Sequence, residues 1–227
     1  MATSNVVFFG CNYSDKKIKA QFDSLKRRIE SATPLACIVV DKRVGKSARD
    51  LWRDIRTHIE ESAACVFDLT GFRPNVVLEL GYALSMKSED QIFITFRKRR
   101  SRGATPAWIL SDIGHLQRHE YINVSELEAF VSGQLDLTPF SRNYAQFLQD
   151  CQSTNAVDKY RQNGKAILQA IRDDGSKTQQ QIQSIMAGSA CRLGKMVQLL
   201  RWNGLLYRPR GRNGRYSIPV LSDGVTG

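Results

Sequence analysis

The sequence has few residues of the types that bind metals, and their spacing matches no metal site. The three histidines are His58, His115 and His119, and the five cysteines occur singly, without a C-x-x-C pair. These patterns argue against a zinc site and against a disulfide framework. We therefore expect reduced cysteines in a cytoplasmic protein that uses no metal and no other cofactor.

Long apolar runs are also absent, since no stretch approaches the roughly 18 residues that span a bilayer. The first residues lack the basic start and the small-residue cleavage site of a secretory signal. We expect no membrane partner. A chain of 227 residues, 42% hydrophobic and 24% charged, has room for one ordinary α/β domain and a small second domain.

Acidic residues are scarce toward the C-terminus. Residues 151–227 contain 12 Lys and Arg but four acidic residues, so this third of the chain carries 12 − 4 = +8 of the net charge of +11. Such asymmetry favours a polyanion as the partner of this region. The alternative is a basic surface that only keeps the protein in solution.

Short β-rich runs alternate with amphipathic helical stretches through residues 1–137. The pattern predicts strands at 6–10, 37–40, 65–67, 92–96 and 121–122, and helices at 15–30, 48–61, 75–86, 108–113 and 124–135. This alternation predicts an α/β fold with a doubly wound parallel sheet, and we favour the flavodoxin-like strand order 2-1-3-4-5. Ligands bind such sheets at the carboxyl ends of the first and third strands.

A different pattern follows the first domain. Residues 138–158 are predicted to form a linker and a connecting helix, with the linker centred on Pro139 in the segment 136–143. Helices are then predicted at 165–172, at 179–186 with Thr178 as cap, and to about Trp202 with Ser189 as cap, followed by strands at 205–208 and 215–218. Short helices before a basic hairpin predict a winged helix-turn-helix over residues 159–220.

The second helix of a helix-turn-helix pair enters the major groove of DNA. The residues expected to contact nucleic acid lie on this helix and on the hairpin: Arg192, Lys195, Gln198, Arg208, Arg210, Arg212 and Arg215. Guanidinium groups suit phosphates, so we expect salt-sensitive binding with modest sequence preference, and we favour DNA over RNA. A protein-docking or dimerisation module is the alternative.

The segment 62–87 carries the strongest signs of a ligand site. Its strand ends in Asp68, Pro74 begins the next helix, and Glu79 follows among apolar neighbours. A carboxylate in such surroundings loses solvation and gains reactivity. We expect Asp68 and Glu79 to face one crevice as catalytic residues. The alternative is an exposed helical glutamate, with Asp68 only closing a turn.

Other residues are expected to bind the ligand in this crevice. Gly10 ends the first strand, where a glycine lets a ligand approach the backbone. Asn75 and Tyr82 lie on the same side of the predicted helix as Glu79. Asp41 begins a loop, residues 41–46, that has the charge to hold phosphates although it is no P-loop. The alternative for that loop is a solvated basic turn.

The motif string Asp68-Leu-Thr, Pro74-Asn-Val and Glu79-Leu-Gly-Tyr-Ala resembles the TIR-like and nucleoside 2-deoxyribosyltransferase-like superfamily, over roughly residues 5–135. Enzymes of that group cleave or exchange N-glycosidic bonds of nucleosides, nucleotides or NAD. The resemblance implies that Glu79 acts as nucleophile or stabilises the cationic sugar. It also implies that Asn12, Tyr13 and Asp68 line the sugar and base pocket.

The chain departs from this resemblance at one position. Arg73 stands where some transferases of the group have an aspartate. The difference weakens the case for deoxyribosyl transfer and leaves hydrolysis, or a pocket that only binds. A purine or pyrimidine leaving group needs an acid, for which Asp68 is the candidate, whereas nicotinamide needs none.

The pairing of the two domains resembles effector proteins encoded beside retron reverse transcriptases, which are bacterial toxins held in check by a nucleic-acid complex. We therefore expect an N-glycosidase of NAD or a related nucleotide, coupled to a nucleic-acid-binding winged helix and acting in bacterial anti-phage defence. Expected partners are nucleic acid, a reverse transcriptase–nucleic acid complex and a second copy of the chain. The alternative is a nucleic-acid-binding regulator whose N-terminal domain senses a nucleotide without catalysis.

Overall fold

The computed structural model of the protein describes residues 4–40, 47–98, 118–189, 191–208 and 214–219. Contacts divide the chain into two units. The α/β unit comprises Val6–Ser31 and Cys37–Asp136, and the helical unit comprises Met1–Asn5, Ala32–Ala36 and Leu137–Gly227. Within the described ranges, no helix is both long and apolar enough to cross a membrane.

Strands and helices alternate through the α/β unit. They are β1 (Val6–Gly10), α1 (Lys16–Ala32), β2 (Ala36–Ile38), α2 (Ala48–Glu61), β3 (Ala64–Asp68), α3 (Pro74–Met86), β4 (Ile92–Arg97), β5 (Arg118–Tyr121) and α4 (Val124–Leu135). The strands form one sheet of order β2-β1-β3-β4-β5, which confirms the predicted α/β fold and strand order. The helix predicted at 108–113 lies outside the described residues.

Burial explains why these segments form these elements. Every residue of β3 is buried, as expected for a central strand that is covered on both faces. Strand β3 pairs in parallel with β1 on one side and with β4 on the other. Helix α1 buries Ile18, Phe22, Leu25 and Ile29, one stripe at helical spacing. The strand order reverses between β1 and β3, and this opens a crevice at their carboxyl ends.

The helical unit contains α5 (Pro139–Asp150), α6 (Val157–Asp174), β6 (Lys177–Thr178), α7 (Gln179–Ile185), α8 (Leu193–Trp202) and β7 (Arg215–Tyr216). Strands β6 and β7 are antiparallel, and a further bridge joins Tyr207 to Ser217 through two backbone hydrogen bonds of 2.8 and 2.9 Å. Thr178 caps α7 in a capping box, as predicted.

The segment 136–143 was predicted to link the domains, and within it Thr138 caps α5, Pro139 occupies the first turn of this helix and Phe140 is buried. Its role as a linker stays a prediction. One prediction in this unit is wrong. Ser189 does not cap the next helix, since its hydroxyl accepts a hydrogen bond from the Cys191 amide and α8 begins at Leu193. Strand β6 was not predicted.

Candidate active site

A cleft of about 630 Å³ opens beside the carboxyl end of β1, within the α/β unit. Its walls come from the segment after β1, from α2 and from the first turns of α3, and they include Asn12, Tyr13, Trp52, Arg73, Asn75 and Glu79. The volume lies in the range of small-molecule sites. The position is the one at which a doubly wound sheet binds its ligands.

Glu79 is partly buried on the second turn of α3. Its helix packs on the sheet through Val76, Leu80 and Ala83, so the glutamate lies beside the buried face. Burial raises the pKa of Glu79 from 4.5 to about 7. Within the described parts of the chain, no hydrogen bond or ion pair compensates for this lost solvation. The cleft therefore contains a carboxyl group that the described residues leave without a partner.

Gly10, at the end of β1, determines where this carboxyl group lies. A Cβ at position 10 would lie 2.9 Å from Oε2 of Glu79 and 2.5 Å from Cδ1 of Phe67. The predicted role of this glycine in ligand approach stays a prediction, and the structure shows a packing role as well. The space that a side chain would fill is taken by the Phe67 ring and the Glu79 carboxyl group.

Asp68, at the end of β3, has a different environment. Its side chain is 1% exposed, its Oδ1 accepts a 2.8 Å hydrogen bond from the Thr70 amide, and its Oδ2 accepts one from the Tyr121 hydroxyl. Burial raises the pKa of Asp68, and these two hydrogen bonds partly oppose the rise. Asp68 is not among the described residues that line the cleft. Asp68 and Glu79 both raise the pKa of the Cys11 thiol, which lines the cleft, and the catalytic role expected of Asp68 stays a prediction.

Tyr121 is a residue that the sequence reasoning missed. Asp68 is in register with Thr95 of β4, and Thr95 is in register with His119 of β5. Tyr121 lies two residues after His119 and thus on the same face of the sheet. A fully buried tyrosine needs a partner for its hydroxyl group, but nothing in the sequence indicated that the partner would be Asp68.

Asn12 and Tyr13 both line the cleft. Asn12 is buried, and its Oδ1 accepts a 3.3 Å hydrogen bond from the Ser14 amide. The Tyr13 hydroxyl donates to Asp23, and the Nζ of Lys19 lies 4.3 Å from the centroid of its ring. These contacts fix the orientation of the Tyr13 ring at the cleft wall.

Asn75 lines the cleft, whereas Tyr82 does not. The Tyr82 hydroxyl donates to Glu60, and its ring meets Trp52 edge-on with a centroid distance of 5.8 Å. Tyr82 therefore supports the wall residue Trp52, and its expected contact with a ligand stays a prediction. Asp41 lies outside the described residues.

Trp52 and Arg73 give the cleft two further chemical features. Trp52 of α2 supplies an aromatic wall, which the sequence reasoning missed because Trp52 lies next to Leu51, Ile55 and Ile59, apolar residues that recur every four positions. Arg73 immediately precedes α3 and brings a cation to its N-terminal end. Helix amides carry a partial positive charge there, so this end of the cleft suits an anion.

Cys11 lines the same cleft but has little nucleophilic character. Burial raises the pKa of its thiol well above the ordinary value, and the carboxylates of Asp68 and Glu79 raise it further. A thiol must ionise before it can attack, so Cys11 stays neutral. In the described ranges, no group of three or more His, Cys, Asp or Glu side chains is placed to hold a metal ion.

The basic side chains predicted on the helical unit lie at its surface where they are described. Arg192, Lys195 and Gln198 are exposed on or next to α8, while Met196, Val197, Leu199 and Leu200 are buried. Arg208 and Arg215 are also exposed, and the Arg208 guanidinium lies 5.7 Å from the centroid of the Tyr216 ring. Arg210 and Arg212 lie outside the described residues.

Comparison with known proteins adds nothing to this geometry. No protein-family model matches the chain, and no curated protein matches it.

Proposed function

We propose that this protein is an N-glycosidase that cleaves the bond between nicotinamide and ribose in NAD or a closely related nucleotide. The observation that carries the proposal is the carboxyl group of Glu79, which is partly buried in a cleft of suitable size and lacks a partner in the described chain. We further propose that a nucleic-acid-binding winged helix controls or positions this activity.

The environment of Glu79 suits a reaction that creates positive charge. Breaking a C1′–N bond leaves a cationic ribose, which a carboxylate can stabilise or trap as a covalent ester. A charged group fixed in a desolvated cleft supplies a large part of the catalysis in such reactions. With a pKa of about 7, Glu79 is about half ionised at neutral pH, and a cationic sugar draws it further toward the ionised form.

The environment of Asp68 favours nicotinamide over other leaving groups. When the C1′–N bond of NAD breaks, the electron pair neutralises the pyridinium nitrogen, so nicotinamide departs without a proton. Water then adds to C1′ and releases one proton. A purine would need an acid, and both carboxylate oxygens of Asp68 already accept hydrogen bonds, from the Thr70 amide and the Tyr121 hydroxyl.

The cationic N-terminal end of α3 favours a nucleotide over a nucleoside as the ligand. Arg73 lines the cleft beside the N-terminal turn of this helix, and both groups attract phosphate. An aspartate at this position would suit a sugar hydroxyl and would repel a pyrophosphate. The difference from the transferase pattern thus fits the proposed substrate.

Nicotinamide release by the full chain tests the catalytic proposal. NAD and deoxyadenosine monophosphate are incubated with the protein, with and without nucleic acid, and products are separated by chromatography. We expect nicotinamide from NAD, and a loss of about a thousandfold or more in Glu79→Gln. Glu120→Gln, at an exposed position on β5, is the matched control and should retain activity. Intact NAD under every condition would instead favour a nucleotide sensor.

The order of elements in the helical unit supports the winged-helix proposal. Helix α6 is followed by β6, the helices α7 and α8, the bridged residue Tyr207 and β7. We propose that α8 enters the groove of a nucleic acid and that the segment between Tyr207 and β7 acts as a basic wing. The role we propose for the whole chain is that of a bacterial anti-phage toxin controlled through a reverse transcriptase–nucleic acid complex.

Salt-dependent binding tests the nucleic-acid proposal. Replacement of Arg192 and Lys195 by alanine should weaken binding and lower the slope of log affinity against log salt by about one for each phosphate that the variant no longer binds. Lys159→Ala, at another exposed basic position of the same unit, is the control. An unchanged slope in the double variant would remove α8 from the interface.

A further inference from the structure

A second groove, of about 480 Å³, lies along α8 in the helical unit. Its lining includes Gln179, Gly194, Gln198, Arg201, Trp202 and Tyr216. Trp202 is 80% exposed, which is the highest exposure among the large hydrophobic residues of the described chain. Exposing an indole to water is unfavourable, and folding leaves this indole exposed. The side chain is therefore available for a ligand.

The exposed indole continues the face of α8 that was predicted to contact nucleic acid. Trp202 follows Lys195 by seven residues and Gln198 by four, so the three side chains lie along one side of the helix. At 1.5 Å per residue, the ammonium group and the indole are attached about 10 Å apart along the axis. A cation and an aromatic platform thus occur on the same stripe.

Gly194 leaves the floor of this groove as bare backbone. A Cβ at this position would meet no described atom within 4 Å, so packing against the described residues does not account for the glycine. Glycine also disfavours a helix relative to alanine. The open space beside Gly194 is instead consistent with a planar ligand that approaches the helix closely.

We propose that this groove holds an unpaired nucleobase stacked on the Trp202 indole. The inference rests on the nucleic-acid binding proposed above and names its substrate class, a single strand or a junction with unpaired bases. Every base offers a face for aromatic stacking, whereas a closed duplex hides these faces between neighbouring pairs. The amide groups of Gln179 and Gln198 can bond the base edge, and Arg201 can bond a phosphate.

The charge around the groove favours nucleic acid over an apolar protein partner. Arg192, Lys195 and Arg201 are all exposed on or beside the same helix, in a region of net charge +8. Protein interfaces are depleted of lysine at their centres. Basic side chains beside an exposed aromatic ring are instead typical of sites for single-stranded nucleic acid.

Fluorescence anisotropy with the full chain tests this inference. The probes are labelled single strands, a duplex with a single-stranded overhang and a blunt-ended, fully paired duplex (the closed duplex), each as DNA and as RNA at one salt concentration. We expect the single strand and the overhang to bind at least tenfold more tightly than the closed duplex. Trp202→Ala should lose about tenfold for the single strand and little for the closed duplex, while Trp202→Phe should keep most of the affinity.

Intrinsic fluorescence gives a second readout. The chain has three tryptophans, and stacking on Trp202 should quench its emission when the single strand is added. Trp202→Phe should remove this quenching while binding persists.

Two glycine variants provide a matched control for the groove floor. Gly133, in α4, resembles Gly194 in that its Cβ would also meet no described atom within 4 Å. Both Gly→Ala variants should keep or raise the melting temperature. Only Gly194→Ala should weaken single-strand binding.

The outcomes separate the inference from the function on which it rests. If the wild type binds none of the probes, the nucleic-acid function fails and the inference fails with it. If the wild type binds the closed duplex as tightly as the single strand, and Trp202→Ala binds like the wild type, the function stands and the inference is overturned. A protein partner would then be the better candidate for this groove.

Discussion

The carboxyl groups of Asp68 and Glu79 lie in the same α/β unit and are both removed from water, but their surroundings differ. Asp68 receives hydrogen bonds from Thr70 and Tyr121, whereas burial acts on Glu79 without a described partner. A satisfied carboxylate contributes to the fold, because its neighbours depend on it. An unsatisfied one lowers stability and is ready to interact with a ligand.

This contrast separates two residues for which the sequence suggested the same role. A strand-end acid before a turn is a common position for a catalytic group, so both carboxyl groups were expected to serve the chemistry. The hydrogen bonds of Asp68 connect it to the sheet, and we propose that Glu79 is the group that serves catalysis. The predictions below test this division, beginning with the largest expected effect.

The first prediction concerns the pH dependence of NAD cleavage. The proposed reaction needs ionised Glu79, and its pKa of about 7 means that ionisation is lost as the pH falls below neutrality. We expect kcat/KM to fall about a hundredfold between pH 8 and pH 5. A pH–rate profile at low NAD concentration measures this. A flat profile over that range would show that the titration of Glu79 does not limit the reaction.

The second prediction is that Glu79→Gln stabilises the protein. The folded state raises the pKa from 4.5 to about 7, so it holds the proton more tightly than the unfolded state does. Ionised Glu79 therefore costs stability that grows from about pH 4.5 and is complete above pH 7. The shift sets an upper limit of about 3 kcal/mol, and we expect a gain of about 2 kcal/mol at pH 8.

Urea denaturation of Glu79→Gln at two pH values measures this gain. It should shrink to less than about 1 kcal/mol at pH 5, where the wild-type carboxyl group is protonated in the folded state. Glu120→Gln, at its exposed position, should change stability little at either pH. A loss of stability in Glu79→Gln at pH 8 would mean that the glutamate has a structural partner.

The third prediction is that Gly10→Ala is destabilising and reduces activity. The added methyl group would meet Phe67 and Glu79 at 2.5 and 2.9 Å, so at least one of these side chains must move. Overpacking of this kind costs about 2 kcal/mol, and a displaced carboxyl group should slow cleavage about tenfold. Gly81→Ala, in α3, places its Cβ in open space and is the control. Equal effects of the two variants would contradict the proposed close packing.

The fourth prediction has the smallest effect and concerns Asp68. Tyr121→Phe removes the hydroxyl that donates to Asp68, and such a bond to a charged group contributes about 1.5 kcal/mol. We expect a loss of that size in the free energy of unfolding at pH 8, together with a further rise in the pKa of Asp68. Tyr207→Phe, at an exposed hydroxyl, is the matched control and should be nearly neutral.

The helices and strands could be predicted from the sequence because they depend on local periodicity. The apolar stripe of α1 and the alternation of strands and helices are visible in any short window of the chain. Pro74 was correctly placed at the start of α3. Pro139 was assigned to a linker, although it begins α5. A proline suits both a linker and a first helical turn, and the sequence alone does not show that the next residue, Phe140, is buried.

Interactions between distant segments could not be predicted in the same way. The bond from Tyr121 to Asp68 depends on the register of two strand pairs across β4, which the composition of the strands does not encode. Trp52 was missed because it lies beside a regular stripe. Glu79 was found because its carboxyl group interrupts an apolar helix, and this is a signal that the sequence does contain.

The link between Asp68 and Tyr121 has a consequence for solubility. In the described sheet β5 is an edge strand, and this hydrogen bond ties it across β4 to β3 in addition to its backbone ladder. If β5 peeled away, the backbone groups of β4 would become a template for pairing with another chain. A single phenol group thus helps to protect the protein against aggregation at high concentration.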